Sequence, residues 1–356
     1  MLDVIAQSAL GVKIDSRSAQ GSEFSVLYSR IFEQSPVGQV ISLINTFIPV
    51  RSWLPLKANT DFIHATREIR RQIRNIIKER RTELFGVNKK TREVRHESTE
   101  EGSKDLLTFM LYERSEGETK WSDEDILGHL LNFVAAGHET TATTLVWAIL
   151  TLCLHPSLQT RLRSEIESQI PHSDPSFTEL ESLTYMNAFF KEVLRCYSPS
   201  VMITRTPTKE LSLCGTVIPV GTNCFLDPQS IQYNPSIWGP DAESFNLERH
   251  LPGHSSEKEF PQSKDPYAME SFSNGPRICI GKAFANAELK SMLVELLRNF
   301  EMIRGWDKNG NRLEEDRECA PDEEGLEGIF AGVRLKNAIT MRWKEGVYVR
   351  FKPRER

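Results

Sequence analysis

The chain has 356 residues, 39% of them hydrophobic and 26% charged, with a formal net charge of -5. That length can bury a large core, and that composition excludes a disordered chain. The acidic balance argues against nucleic acid as a main partner, because domains built for that are usually basic. The six cysteines, Cys153, Cys196, Cys214, Cys224, Cys279 and Cys319, contain no C-x-x-C pair. Neither a zinc site nor a disulfide framework is indicated, and a reducing compartment is the natural reading.

No stretch reaches the roughly 18 consecutive apolar residues of a membrane-spanning helix, and the opening MLDVIAQSAL lacks a basic n-region. No anchor or signal peptide is therefore expected in this chain. The first half reads as helical. Over residues 57–85, Ile69, Ile73, Ile76 and Ile77 recur at helical spacing, flanked by Arg67, Arg70, Arg71, Arg74, Lys78, Arg80 and Arg81. Such a basic face suits a membrane surface or nucleic acid, or the solvated side of a packed helix; the apolar stripe favours the second. Residues 88–104 are polar throughout and read as an exposed loop.

A long helix is predicted from about 122 to 154, opened by a capping box between Ser122 and Asp125 and closed by Pro156. Further helices are expected at about 157–170 and 182–197. Residues 201–227 read as short strands around a Cys214-Gly215 turn. Residues 228–270, rich in Pro, Asn, Ser and Gly, read as a long irregular segment, and such segments in compact domains are usually functional. A final amphipathic helix covers about 281–299, and the segments AITMRW and VYVRF look like closing strands. The fold class is mainly α with small β-sheets, as a single domain over 1–356.

Residues 272–281 read FSNGPRICIG. A soft, anionic thiolate at Cys279 is a good axial ligand for haem iron. Holding such a sulfur needs a tight loop, which accounts for Gly275 and Gly281 on either side. Arg277 can reach a haem propionate, Phe272 can shield the sulfur, and a helix starting after Gly281 directs its positive end at the thiolate. The alternative is a cysteine merely buried in a turn. Five fixed positions arise by chance on the order of once in ten thousand such chains, which favours the ligand. The pattern F-x-x-G-x-R-x-C-x-G resembles the haem-binding signature of cytochromes P-450.

Upstream, Ala136-Gly137-His138-Glu139-Thr140-Thr141 resembles that family's central-helix motif. Ala136 and Gly137 remove bulk from one helix face, leaving room for a flat cofactor and a diatomic ligand. Glu139 and Thr140 place an acid and a hydroxyl beside that gap, a pair that can relay protons to O2 as it is cleaved. A helix bend with Thr140 bonded back to a carbonyl is the alternative. A zinc-protease reading of His138-Glu139 fails because residue 142 is Ala, and His138 reads as a packing residue.

Glu192 and Arg195 share a helix face at i and i+3. The resemblance implies that they form a structural ion-pair network with Arg249 of FNLERHL, where Leu247 and His250 stand for the family's proline and aromatic residue. That departure touches the local turn and leaves the ion pairs intact. The resemblance also places Arg205, in ITRTP, on a haem propionate.

It implies a haem-dependent monooxygenase that takes electrons from NADPH through a cytochrome P-450 reductase and inserts one oxygen atom of O2 into a hydrophobic small molecule. The sequence style is similar to fungal microsomal members, often found in secondary metabolism, so the cytoplasmic face of the endoplasmic reticulum is implied. Lys282 and Lys290 are candidate reductase contacts. The family's N-terminal anchor, first strands and W-x-x-x-R helix find no match here, so the chain reads as an N-terminally truncated member. A haem-thiolate isomerase or dehydratase, to which the Glu139-Thr140 pair is not suited, and a non-catalytic fragment remain as other readings.

Overall fold

The computed structural model describes residues 1–16, 22–45, 48–86, 105–116, 121–170, 174–200, 202–253, 259–304, 335–337, 341–343 and 349–354. The polar segment 88–104 and Cys319 lie outside the described residues. Two compact units, Met1–Glu139 and Thr140–Arg356, divide the chain.

The first unit is helical: α1 (Leu2–Leu10), α2 (Glu23–Phe32), α3 (Pro36–Asn45), α4 (Lys57–Phe85), α5 (Leu106–Glu116) and the N-terminal part of α6 (Asp123–Leu154). The isoleucine stripe of α4 does what its spacing predicts: Ile69, Ile73 and Ile77 are buried with Leu2, Ile5 and Leu10 of α1, Leu107 and Leu111 of α5, and Ile126, Leu127 and Leu130 of α6. Five of its cations have acidic partners. Arg70 and Arg74 both bind Glu124, Arg81 binds Asp123, and Arg71 pairs with Glu68. Arg80 turns inward to Asp105 and Thr108. The α6 start is the capping box expected: Asp125 N–H donates to Ser122 Oγ at 3.1 Å, and Ser122 N–H to Asp125 Oδ2 at 2.7 Å.

In the second unit α6 continues to Leu154, followed by α7 (Pro156–Gln169), α8 (Phe177–Ser182), α9 (Thr184–Cys196), α10 (Pro228–Gln232), α11 (Pro235–Trp238) and α12 (Lys282–Asn299). The helix expected at 182–197 is preceded by a separate turn of helix, α8, opened by its own Ser176–Glu179 capping box. Four antiparallel two-stranded ribbons complete the described strands: β1 (Ile203–Arg205) with β4 (Cys224–Leu226), β2 (Leu211–Leu213) with β3 (Thr216–Ile218), β5 (Phe300–Arg304) with β8 (Val349–Pro353), and β6 (Leu335–Asn337) with β7 (Met341–Trp343). The β2–β3 turn is made by Cys214 and Gly215, both at positive φ (48° and 81°), the geometry of a two-residue hairpin loop. Residues 228–270, read as irregular, contain α10 and α11. Each is capped by a side chain, Asp227 or Asn234, directly before a proline. Buried Gln159 of α7 donates to Leu152 O and Met302 O and accepts Met302 N–H, tying the end of α6 to β5.

Among the described residues no cysteine is joined in a disulfide. No single helix among the described residues is long and apolar enough to cross a membrane.

Gly137 has a packing role of its own. A Cβ there would lie 2.8 Å from Ile5 Cδ1 and 2.9 Å from its Cγ1, so the missing side chain serves the close approach of α1. Ala136, one residue earlier, is exposed. Gly137→Val is expected to destabilise the chain by about 1–3 kcal/mol through overpacking, and Ile5→Ala should relieve part of that cost. Urea unfolding of the double-mutant cycle measures the coupling; strictly additive effects would show that the two residues do not press on each other.

Candidate functional site

Helix α9 is buried on nearly every side: Tyr185, Met186, Ala188, Phe189, Phe190 and Glu192 through Cys196 are all in the interior. A helix so placed cannot leave a charge unpaired. Glu192 is fully buried and accepts Arg195 Nε at 2.8 Å and Arg195 Nη2 at 2.7 Å. Arg249 Nε reaches the same carboxylate at 3.1 Å, so the structure brings the three predicted residues together.

Two further donors were not read from the sequence. Asn246 N–H donates to Glu192 Oε1 at 2.8 Å, and His250 Nε2 lies 2.8 Å from Glu192 Oε2. His250, which stands for an aromatic residue of the family pattern, keeps a ring edge-on to Trp238 and adds a donor. Residues 247–250 form a 3-10 turn with Leu247 buried in it. Arg249 is held from its other side by Asp241 Oδ2 at 2.8 Å and Trp238 O at 2.9 Å.

Burial works to raise the pKa of Glu192, but the hydrogen bonds from Arg195 and His250 outweigh it and hold the carboxyl well below the usual range. For His250 burial dominates and lowers the ring's pKa, against the pull of Glu192. The ring is then neutral near neutral pH, and its Nε2–H donates to the carboxylate.

The cysteine loop precedes α12. Ser273 and Gly275 take positive φ (56° and 66°), and Gly275–Arg277 form a 3-10 turn. Cys279 N–H donates to Phe272 O at 2.8 Å, closing the loop. Gly281, at φ -85°, is not in a left-handed conformation; a Cβ there would meet Cys279 Sγ at 3.9 Å. Residues 275–280, Arg277 and Cys279 included, are exposed. Phe272 is half-buried, with Lys282 Nζ 5.8 Å above its ring. Arg205 of β1 reaches the same loop, donating to Ser273 Oγ at 3.2 Å.

On α6, Glu139 is buried and Thr140 half-buried. The Thr144 hydroxyl donates back to Thr140 O at 2.9 Å, and His138 packs edge-on to Tyr28, with ring centroids 5.1 Å apart. Of the two lysines expected at a reductase surface, Lys282 is exposed. Lys290 is not available: it is 3% exposed and its Nζ binds Glu181 at 2.6 Å. It sits two helical turns along α12, on the face that packs inward.

The residues of the loop fit a haem. Among the described residues no cluster of three or more His, Cys, Asp or Glu side chains could hold a metal ion, Cys279 included. The sulfur is flanked by exposed apolar side chains, Ile280 at 87%, Ile278 at 46% and Phe284 at 39%. The exposed guanidiniums of Arg205 and Arg277 lie in and beside the same loop. An apolar surface, a soft donor and two cations match a flat apolar macrocycle with acidic side groups.

Glu192→Ala leaves two buried guanidiniums short of their shared acceptor and should cost about 3–5 kcal/mol in urea unfolding. Acid sensitivity should show both titrating partners. Above about pH 6.5 His250 is neutral whether the chain is folded or not. As the pH falls, the unfolded chain takes up that proton first, so stability declines from about pH 6.5 downward. The depressed Glu192 adds a second loss below about pH 4.3, as the unfolded chain protonates. Urea midpoints between about pH 7 and pH 5 should therefore fall more steeply for the wild type than for His250→Gln; equal slopes would remove His250 from this account.

Comparison with known proteins places the chain. The family model for cytochrome P-450 matches residues 1–313. The cytochrome P-450 monooxygenase FUM15 of Gibberella moniliformis is 30% identical over 343 residues, 84% of this chain and 55% of its own length. The monooxygenase sphH of Aspergillus fumigatus is 30% identical over 366 residues, 99% of this chain and 60% of its own. The chain thus spans somewhat more than half the length of these relatives. In fold it is similar to the crystal structure of the cytochrome P450DA heme domain, with a TM-score of 0.73 at 21% identity, covering 99% of this chain and 66% of that one. By the match along most of its length, and by the fold that carries its cysteine loop, the chain belongs to the cytochrome P-450 family.

Proposed function

We propose that the protein is a haem-dependent monooxygenase acting on a hydrophobic small molecule, with electrons supplied from NADPH by a cytochrome P-450 reductase. The observation that carries this reading is the exposed Cys279 thiol, in a loop closed on Phe272 O, with apolar side chains and two guanidiniums around it. When bound, haem supplies the chemistry of O2 activation and transfer of one oxygen atom.

The chain's own residues have distinct tasks. Cys279 provides the thiolate. Its own N–H is committed to Phe272 O, which fixes the backbone from which the sulfur projects. Arg205 and Arg277 neutralise the propionates as charge-assisted partners. Thr140, next to Glu139 on α6, holds and passes a proton. Lys282, exposed on the first turn of α12, is the remaining lysine for an acidic reductase face. A place in fungal secondary metabolism, at the cytoplasmic face of the endoplasmic reticulum, follows from the resemblance to fungal microsomal members and the fungal relatives named above.

The reduced carbon-monoxide difference spectrum of the purified chain tests the reading. A thiolate-type Soret band is expected, lost in Cys279→Ala and retained in Thr140→Ala. In Thr140→Ala product formed per NADPH should drop roughly tenfold or more. A chain that takes up no porphyrin, or takes it up equally well without the Cys279 sulfur, would refute it. Turnover without any electron donor would instead mark a rearrangement enzyme.

A further inference from the structure

Gln232, the last residue of α10, is 0% exposed. Its side-chain amide is used on both sides. Nε2 donates to Arg195 O at 2.7 Å and to Leu194 O at 3.2 Å, two carbonyls that the end of α9 leaves without helical partners. Oε1 accepts Glu270 N–H at 3.0 Å and lies 3.0 Å from Ser271 Oγ. The Gln232 backbone carbonyl accepts Arg195 Nη1 at 2.7 Å. The orientation of the amide is forced, since its nitrogen faces two carbonyls and its oxygen an N–H.

These bonds run from the ion network to the sulfur by a short route. Ser271, whose single hydroxyl hydrogen serves either Gln232 Oε1 or Leu194 O (2.8 Å), is the residue before Phe272. Phe272 O holds Cys279 N–H at 2.8 Å. Glu270 Oε1 accepts Asn274 Nδ2 at 2.8 Å, and the same nitrogen lies 2.8 Å from Pro266 O and 3.1 Å from Met269 O. The start of the loop is thus fastened at Glu270 and Ser271, and both fastenings end on one amide. We propose that Gln232 is a positioning residue for Cys279: it transmits the fixed geometry of the Glu192–Arg195 pair to the strand of loop that holds the cysteine N–H. A side chain here needs a donor on one side and an acceptor on the other, which an apolar residue of the same size lacks.

The consequence for iron ligation rests on the haem-thiolate reading, but the positioning itself does not, so the experiment has two arms. The first is hydrogen–deuterium exchange of the full chain. In Gln232→Leu, amides of residues 270–274 and of Cys279 should exchange roughly tenfold or more faster, while α7 and α12 keep their rates. Gln232→His, with one ring donor and one acceptor, should restore much of the protection. The second arm is the reduced carbon-monoxide spectrum, in which Gln232→Leu should convert part of the thiolate-type signal to a thiol-type one.

If the leucine variant does not fold, Ser271→Ala removes one fastening and should accelerate the same amides by a smaller factor. Unchanged rates at 270–279, or an equal acceleration throughout Thr140–Arg356, would overturn the proposal, the second by making Gln232 an ordinary core residue. Loss of porphyrin binding by the wild type would end the haem reading and leave the exchange arm to decide on Gln232.

Discussion

Glu192 carries a full negative charge where water does not reach, and the surrounding chain is arranged to make that tolerable. Taking a carboxylate out of water costs several kcal/mol even after relaxation. The compensation comes from two bonds of Arg195, one each from Arg249 and His250, and a backbone N–H of Asn246. The partners are drawn from α9 and from residues 246–250, more than fifty positions along the chain. A charge that needs so many donors fixes where they must be. The segment after α10 has only a small buried apolar cluster of its own among the described residues, Trp238, Ala242 and Ala268, with Ile237 and Met269 packed against it. Polar geometry adds to that packing, and a network of this kind specifies position more than it adds stability.

The cysteine loop inherits this order. It is exposed from Gly275 to Ile280, so burial cannot hold it. It is held at its base, by Cys279 N–H on Phe272 O and by Arg205 on Ser273. Two left-handed residues, Ser273 and Gly275, make the reversal; the glycine adopts this shape without strain, whereas a serine there needs its surroundings to enforce it. An exposed thiol on a rigid, hydrogen-bonded base suits a residue whose partner arrives from outside the polypeptide.

Much of the fold was legible because long helices repeat their pattern many times. The stripe of α4 and the capping box of α6 fall where the periodicity and the cap residues predicted. The three-membered ion network was legible only through the family resemblance, since an i, i+3 pair is ordinarily a surface feature. What was missed is short or tertiary. The helices α10 and α11 span a turn or so each, and their Asp-Pro and Asn-Pro starts were present but lay inside a segment read by composition. Strands β5 and β6 have no alternation long enough to detect. The burial of Lys290 depends on Glu181, and the need for glycine at 137 depends on Ile5. Both are pairings between distant parts of the sequence. The role of His250 is not legible in the family pattern, because its bond to Glu192 depends on where the ring nitrogen lies in the fold.

The basic helix α4 shows how little a count of cations says about a surface. Arg70, Arg74 and Arg81 meet Glu124 and Asp123 at the start of α6, and Arg71 meets Glu68. Those carboxylates interrupt the row of cations at Arg70, Arg74 and Arg81, and the chain's balance of -5 governs its long-range field. At the bench this is an acidic protein, and an anion exchanger is the natural first column for it.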